Sequence, residues 1–263
     1  MFDRILKSGD ALPWHEPVQY AQVLKYNEHH GADGRFASAD EAAGQHEPAK
    51  PIGTHQVLMD EDNTYSQAGR DLIKSHSESL KDSPPQQVAS LQSYTSEVKQ
   101  ANYTDVNSLL RGVENEYGNR TPAKDIDQAI KNLDSIIASH TLGTDAMLYR
   151  GLQPPVSETW YKPNDLKGLI GQKIDDKGFV SASISKNVAN MWSGSGQSPV
   201  VLDIAAPATQ HGVYLESVTK STSEHEVLLP RDSKFMITGV HTEQYTRGSG
   251  KKVDIIHLHV TPI

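Results

Sequence analysis

Hydrophobic positions change their period once along this chain. Between residue 86 and about residue 137 they recur every three or four positions; beyond Ala146 they alternate or fall in short apolar runs. The first pattern predicts helices over Val88 to Ala101 and Val106 to Glu116. Thr121-Pro122-Ala123-Lys124-Asp125 opens another, with Thr121 as cap and Pro122 in the first turn. Ile126, Ile130, Leu133, Ile136 and Ile137 form its buried stripe. The second pattern predicts strands at Ala146–Arg150, Gly178–Ser183, Val200–Ile204, Gly212–Leu215, Glu226–Leu229, Lys234–His241 and Lys252–Thr261. In the last, alternation slips at Ile255-Ile256, which predicts a bulge. Helices first and strands second means an α+β fold.

Before residue 86 the text is different. It is rich in His, Gly, Asp, Ala and Pro and has little periodicity. Glu47-Pro48-Ala49-Lys50-Pro51 reads as linker. Leu72 to Leu80 reads as a short helix that Pro84-Pro85 stops. The expected division is therefore a flexible N-terminal arm over 1–85 and a globular domain over 86–263. A chain of 263 residues suits one domain with an appendage.

Composition removes several chemistries. There is no cysteine, so disulfides, thiolate metal sites and cysteine nucleophiles are excluded. A net charge of −8 argues against general nucleic-acid binding. No apolar run approaches the roughly 20 residues of a membrane helix. Met1 to Lys7 lacks the apolar stretch of a signal peptide, so cytoplasmic residence or a non-Sec exit is expected. Among twelve histidines, His29-His30 and His257-x-His259 have metal-ligand spacing. Lone pairs of this kind are more often incidental, and no metal is expected.

The candidate chemistry begins at Ser223-Glu224-His225-Glu226-Val227-Leu228-Leu229-Pro230. Residues i and i+2 of a strand point the same way, so Glu224 and Glu226 are expected to share a face at the start of a strand that Pro230 ends. Two carboxylates that close repel each other, and their retention asks for a reason. A solvated strand edge is the plain alternative. Two further segments precede the pair. Asp145 to Leu152 is an apolar run ending in Arg150-Gly151. Lys177 to Ser185 alternates small hydroxyl residues with others around Ser181-Ala182-Ser183. Each has its own plain reading, as a surface arginine or a polar strand face. Together they give an order: strand-Arg, strand-Ser-x-Ser, strand-Glu-x-Glu.

In that order the chain resembles the arginine-serine-glutamate class of ADP-ribosyltransferases, which includes clostridial binary toxins and bacteriophage transferases. The resemblance covers about Gln86 to Ile263. It rests on Leu148-Tyr149-Arg150-Gly151, Gly178-Phe179-Val180-Ser181-Ala182-Ser183 and Glu224-His225-Glu226. It implies two packed, mainly antiparallel sheets with NAD, the co-substrate, in the cleft between them. It gives Arg150 the NAD pyrophosphate, which an arginine fork matches in shape. It gives Glu226 the positive charge that develops on the ribose as nicotinamide leaves. Ser181 would orient Glu226, and Glu224 would bind and deprotonate an arginine acceptor. Thr104 to Arg111 resembles the family's helical Asn-x-x-Leu-Arg segment, which places Asn107 and Arg111 beside the phosphates; a helix-surface charge is the alternative for Arg111. Gly151 joins this NAD-binding set. Trp192 stands where toxins of the class carry an aromatic against nicotinamide; a core or lid tryptophan is the alternative. Ser193 to Gly196 reads as a mobile loop.

Two departures stand out. Ala182 replaces a frequent Thr. Ser221 stands where binary toxins place an aromatic that touches the protein acceptor. The resemblance thus implies transfer of ADP-ribose from NAD to protein arginine, in a bacterial host. The alternatives are an NAD glycohydrolase on the same fold and a virion structural protein with a dormant transferase domain. The arm adds one clue. Val23 to Ala39, with Lys25-Tyr26-Asn27 and Gly34-Arg35-Phe36, resembles an element of tailed-phage head-associated proteins. That implies packaging in a virion through phage head partners and delivery to the host cytoplasm.

Overall fold

The structure is a computed structural model and describes residues 55–96, 100–112, 121–152, 163–193 and 199–263. The Val23 to Ala39 element lies outside the described residues, as do 113–116 of the second expected helix and most of the Ser193 to Gly196 loop.

Capping side chains set most helix starts. The Ser66 hydroxyl accepts the Gly69 N–H at 3.1 Å and opens α1 (Gln67–Lys81). Pro85 does not stop a helix but begins one, α2 (Pro85–Tyr94), where a missing N–H costs nothing. Asn102 caps α3 (Tyr103–Arg111) by accepting from Thr104 and Asp105, and Gly112 closes it in the left-handed region at φ 66°. The cap predicted for α4 (Ala123–Ala138) is absent, because the Thr121 hydroxyl is used elsewhere. It donates to Asp105 Oδ2 and accepts the Ala101 N–H, tying the entry of α4 to α3. The predicted stripe of α4 is buried throughout, from Ile126 to Ile137.

The strands are β1 (Gln56–Val57), β2 (Ala146–Leu152), β3 (Lys173–Asp176), β4 (Val180–Ser183), β5 (Val200–Ala206), β6 (Val213–Tyr214), β7 (Glu226–Leu229), β8 (Ser233–Thr246) and β9 (Lys252–Pro262). A short helix, α5 (Lys186–Trp192), follows β4. The strands pair in the order β3-β8-β9-β5-β2-β4-β7-β6, and β1 adds to β2. All pairings are antiparallel except β5–β9 and β1–β2. The fold is therefore α+β, as expected, but the strands form one hydrogen-bonded sheet rather than two. Its halves join at β2–β4 through a single registered pair, Tyr149 with Ser183. Side chains from both halves, among them Leu148, Leu202 and Leu258 with Val180, Val227 and Leu229, meet in one apolar cluster. Helices α2, α3 and α4 cover the opposite face of β4 and β7 through Tyr94, Val106, Leu133, Phe179 and Leu228.

The bulge expected at Ile255-Ile256 does not occur there. β9 runs through both residues, and the irregularity falls on β8 between Ile237 and Gly239. Both isoleucines are buried because both faces of β9 are covered: Ile256 enters the central cluster and Ile255 a smaller one with Met147, Tyr149 and Val201. A strand buried on both sides reads as a continuous apolar run, not as an alternation with a slip.

The boundary expected at residue 85 also falls inside packed structure. Leu58, Met59 and Leu72 belong to the central cluster, and Leu80 packs against the α2–α4 layer. His76 is the polar counterpart of this packing. Its Nδ1 accepts the Tyr214 N–H at 2.9 Å, and its Nε2 donates to the Thr141 carbonyl at 2.9 Å. That pattern needs the neutral ring, and burial holds His76 below its ordinary pKa. We propose that the folding unit begins near His55 rather than near Gln86. Truncation before Gln86 removes four buried apolar side chains, each worth about 2–5 kcal/mol if deleted. Their sum rivals a typical total stability of about 5–15 kcal/mol. A chain starting at Gly53 should show a cooperative melt, and one starting at Gln86 should show none by circular dichroism. A cooperative melt for the shorter chain would restore the boundary at 85.

Candidate active site

The seam between β4 and β7 brings the serines and glutamates together. Ser181 pairs with Leu228 and Ser183 with Glu226. Directly opposed residues share a face, so Ser181, Ser183 and Glu226 look the same way. The Ser181 side chain stands beside both the Glu226 carboxylate and the Tyr94 phenol. Burial pushes the Glu226 carboxyl up to about 7; the Ser181 hydrogen bond lowers it, the Glu224 charge raises it, and Arg150 lowers it. Glu226 is thus an acid whose charge is costly in the free protein and is supported from two sides.

Glu224 does not reach Glu226 by strand alternation. Thr222–Glu224 is a turn of 3₁₀ helix, and His225 then takes the left-handed conformation at φ 49° before β7 starts at Glu226. The turn is held from β4: Ser183 Oγ donates to the Glu224 carbonyl at 2.8 Å, and the Ile184 N–H donates to the His225 carbonyl at 3.1 Å. His225 is clamped in turn. Its Nδ1 lies 3.0 Å from the Tyr65 hydroxyl, and the rings meet edge-on at 5.6 Å. Tyr65 also reaches Glu216, at the start of the loop that leads to Glu224. A left-handed non-glycine residue is uncommon and persists where surroundings enforce it. The two carboxylates are therefore presented by a constrained turn, not by one strand face.

Arg150 projects from β2 toward the same seam. Its Nη1 donates to the Ser181 carbonyl at 2.7 Å, and its Nη2 lies 3.4 Å from Asp176 Oδ2. Arg111, in the last turn of α3, forms a two-pronged pair with Asp176, with both contacts at 3.0 Å. Asp176 thus holds both guanidinium groups, and its Oδ1 accepts the Gly178 N–H at 2.9 Å. Two guanidinium groups aligned on one carboxylate present planar N–H forks of the kind that match phosphate oxygens. Gly178 is required here by space. A Cβ on it would lie 2.7 Å from Asn107 Oδ1 and 2.9 Å from the Arg111 guanidinium.

Asn107 is held by two hydrogen bonds of its own. Its Oδ1 accepts the Phe179 N–H at 2.9 Å, and its Nδ2 donates to Tyr94 Oη at 2.9 Å. Buried to 7% exposure, it clamps the entry of β4. Gly151 is placed beside Arg150, where α5 crosses β2. A Cβ there would lie 2.3 Å from the Ala189 carbonyl oxygen, so it serves the close approach of α5. Trp192 ends α5 and is half exposed.

Two residues of the site escaped the sequence reading. Asp176 lies in Asp175-Asp176-Lys177-Gly178, which resembles any polar turn. Tyr94 has the spacing of a core aromatic and is indeed only 1% exposed. Its hydroxyl links Asn107 to Ser181, and burial pushes it up to about 12, so it stays protonated.

A carboxyl whose folded pKa is raised binds its proton more tightly when folded. Its contribution to stability is complete below about pH 4.5 and is lost as pH rises through about 7. Glu226→Gln should therefore stabilise the protein above pH 7 by on the order of 1–3 kcal/mol. The gain should vanish near pH 4. Paired thermal melts at the two pH values test this; an equal shift at both would mean that Glu226 is not desolvated.

The family model of the ADP-ribosyltransferase exoenzyme matches residues 62–260. No significant match to a curated relative accompanies it. The fold resembles the ADP-ribosylating toxin BECa of a binary enterotoxin of C. perfringens, solved with NADH, at a TM-score of 0.60 and 18% identity; the match covers 74% of this chain and 48% of that one. It also resembles the enzymatic component C2-I of the C2 toxin of Clostridium botulinum, at a TM-score of 0.59 and 18% identity, covering 78% and 49%. The chain thus spans about half the length of these two binary-toxin components. The Clostridium limosum C3 exoenzyme is matched over its full length, with a TM-score of 0.56, 19% identity and 81% of this chain covered. With the family model spanning most of its length, the chain belongs to the ADP-ribosyltransferase exoenzyme family, whose toxins use NAD as co-substrate.

Proposed function

We propose that this chain is a mono-ADP-ribosyltransferase that moves ADP-ribose from NAD to arginine side chains of a protein acceptor. The observation that carries this is the desolvated Glu226 carboxyl, bonded by Ser181 beside Arg150, with Glu224 on the adjoining turn. Arg150 and Arg111, aligned on Asp176, take the NAD pyrophosphate. The bond between nicotinamide and ribose breaks with its electron pair leaving on nicotinamide, and positive charge develops at the ribose carbon. Glu226 stabilises that charge, which is largest in the transition state. The cationic nicotinamide of NAD favours the ionised form of Glu226 as it arrives. A guanidine nitrogen then attacks the ribose carbon. Glu224 pairs with the guanidinium and takes the proton released as the new bond forms.

One observation favours a second reading. Ser221, rather than an aromatic, precedes Glu224 in the acceptor-side turn. With less to grip a protein, water becomes the competing acceptor and the chain acts as an NAD glycohydrolase. In either case we infer that the N-terminal segment resembling phage head-associated proteins serves packaging and that the target lies in a bacterial host.

Two substitutions divide these readings. Glu226→Gln should reduce nicotinamide release about a hundredfold or more, with or without acceptor; retention of a tenth of the activity would remove Glu226 from its role. Glu224→Gln should keep most NAD hydrolysis while losing label transfer to an arginine substrate such as agmatine. If both activities of Glu224→Gln fall together, Glu224 belongs to NAD binding. If both persist, Glu224 has no part in engaging the acceptor.

A further inference from the structure

The sheet carries a second cluster of titratable groups. Asp203 on β5, His259 on β9 and His241 on β8 come from three successive strands, and one ligand atom from each lies within 4.8 Å of the others. The Asp203 carboxylate is 4% exposed. Its Oδ1 accepts from His257 Nδ1 at 2.9 Å, and its Oδ2 lies 3.4 Å from His259 Nδ1. His259 Nε2 and His241 Nδ1 are 2.9 Å apart, with nearly parallel rings at 17°.

We propose that Asp203, His241 and His259 bind a divalent transition-metal ion, zinc by preference. This goes beyond the transferase reading and does not depend on it. The donors are two imidazoles and one carboxylate, a set suited to zinc, cobalt or nickel rather than to magnesium or calcium. Zinc–nitrogen and zinc–oxygen bonds of about 2.0–2.2 Å place tetrahedral donors roughly 3.3 Å apart. Only one nitrogen of His259 can be a ligand, and with one atom from each residue the three donors lie within 4.8 Å of one another, so small side-chain rotations would draw them in to that value. An ion would replace the single proton that the two facing imidazole nitrogens share.

Three further features support a built site. Gly239 sits opposite His259 in the ladder, and a Cβ there would lie 3.1 Å from the His259 ring, so the glycine leaves room for the imidazole. Glu243 Oε2 lies 3.7 Å from His241 Nε2, on the side away from His259, where a carboxylate orients a ligating imidazole. Glu243 is itself paired with Lys186 at the start of α5. His257 is fully buried against the cluster, stacked on His241 at 4.9 Å, and its Nε2 has no hydrogen-bond partner. It donates to the carboxylate from behind and holds it toward the other two donors. A bound ion would clip β5 to the long β8–β9 hairpin and, through Glu243 and Lys186, to α5, which rests on Gly151 next to Arg150.

The experiment uses the full chain, purified without a polyhistidine tag and stripped with chelator. Zinc is titrated by calorimetry, and cobalt by electronic absorption. One zinc per chain should bind saturably at micromolar concentration and raise the melting midpoint. Cobalt should give the intense visible bands of a four- or five-coordinate ion. His241→Gln, at a half-exposed position that should tolerate it, and His259→Gln should each weaken binding about a hundredfold. His211→Gln should leave it unchanged. Absence of saturable binding by the wild type overturns the proposal, as does the weak spectrum of six-coordinate cobalt. Equal affinity in the wild type and His241→Gln also overturns it, since the ion would then sit on other histidines.

Discussion

The electrostatics of the seam between β4 and β7 turn on one largely desolvated carboxylate. Glu226 opens β7 at the seam with β4, and its carboxyl is desolvated enough to be pushed up to about 7. An unsupported buried charge would cost several kcal/mol, so the surroundings must supply what water does not. They do so with the Ser181 hydroxyl and the Arg150 charge, while Glu224 acts in the opposite direction. Ser181 is in turn backed by Tyr94 and Asn107, which α2 and α3 deliver across the layer of helices. The helical layer is thus more than a cover for the sheet. It carries the hydrogen-bond partners that make Glu226 tolerable.

The same logic explains the arginines. Arg111 and Arg150 come from elements far apart in sequence and would repel each other if left alone. Asp176 joins them with contacts of 3.0 to 3.4 Å. A pre-aligned pair loses less side-chain entropy on binding a pyrophosphate than two free arginines. The acceptor side is organised by a different constraint. The left-handed His225 reverses the chain between the two glutamates, and Tyr65 holds its ring. Tyr65 precedes α1, so residues before the expected domain boundary contact the turn that carries Glu224. Packing of α1 and presentation of Glu224 are therefore parts of one arrangement.

Much of this was legible in the residues. The stripe of α4 and the limits of β7 agree with the periodicity, and all the remaining expected strands except β8 agree to within about two residues at their ends. Motif order, rather than any single motif, led to Arg150, Ser181 and Glu226, which the fold does bring together. The discrepancies have physical causes. α1 was underestimated because its buried face is mixed: Gly69 and His76 stand beside Leu72 and Leu80. His76 is polar, yet it is buried because both ring nitrogens find backbone partners. The bulge was placed on β9 because two adjacent isoleucines imitate a slip when both faces of a strand are covered.

What the sequence determined by itself was local: where helices and strands run, which face of α4 is apolar, and which residue types are available for chemistry. Those properties follow from spacing and side-chain type over a few residues. The tertiary structure decided everything that depends on distance between remote residues. It set Asn107 as a clamp on β4, and it made Asp176 the common anchor of two arginines. It replaced a shared strand face for Glu224 and Glu226 by a constrained turn. It also gave His257 and His259 the carboxylate partner that no neighbouring residue provides, because Asp203 lies on an adjacent strand some fifty residues away in sequence. Hydrogen bonds and charge pairs act over about 3 to 4 Å. Only the folded chain brings such groups within that range.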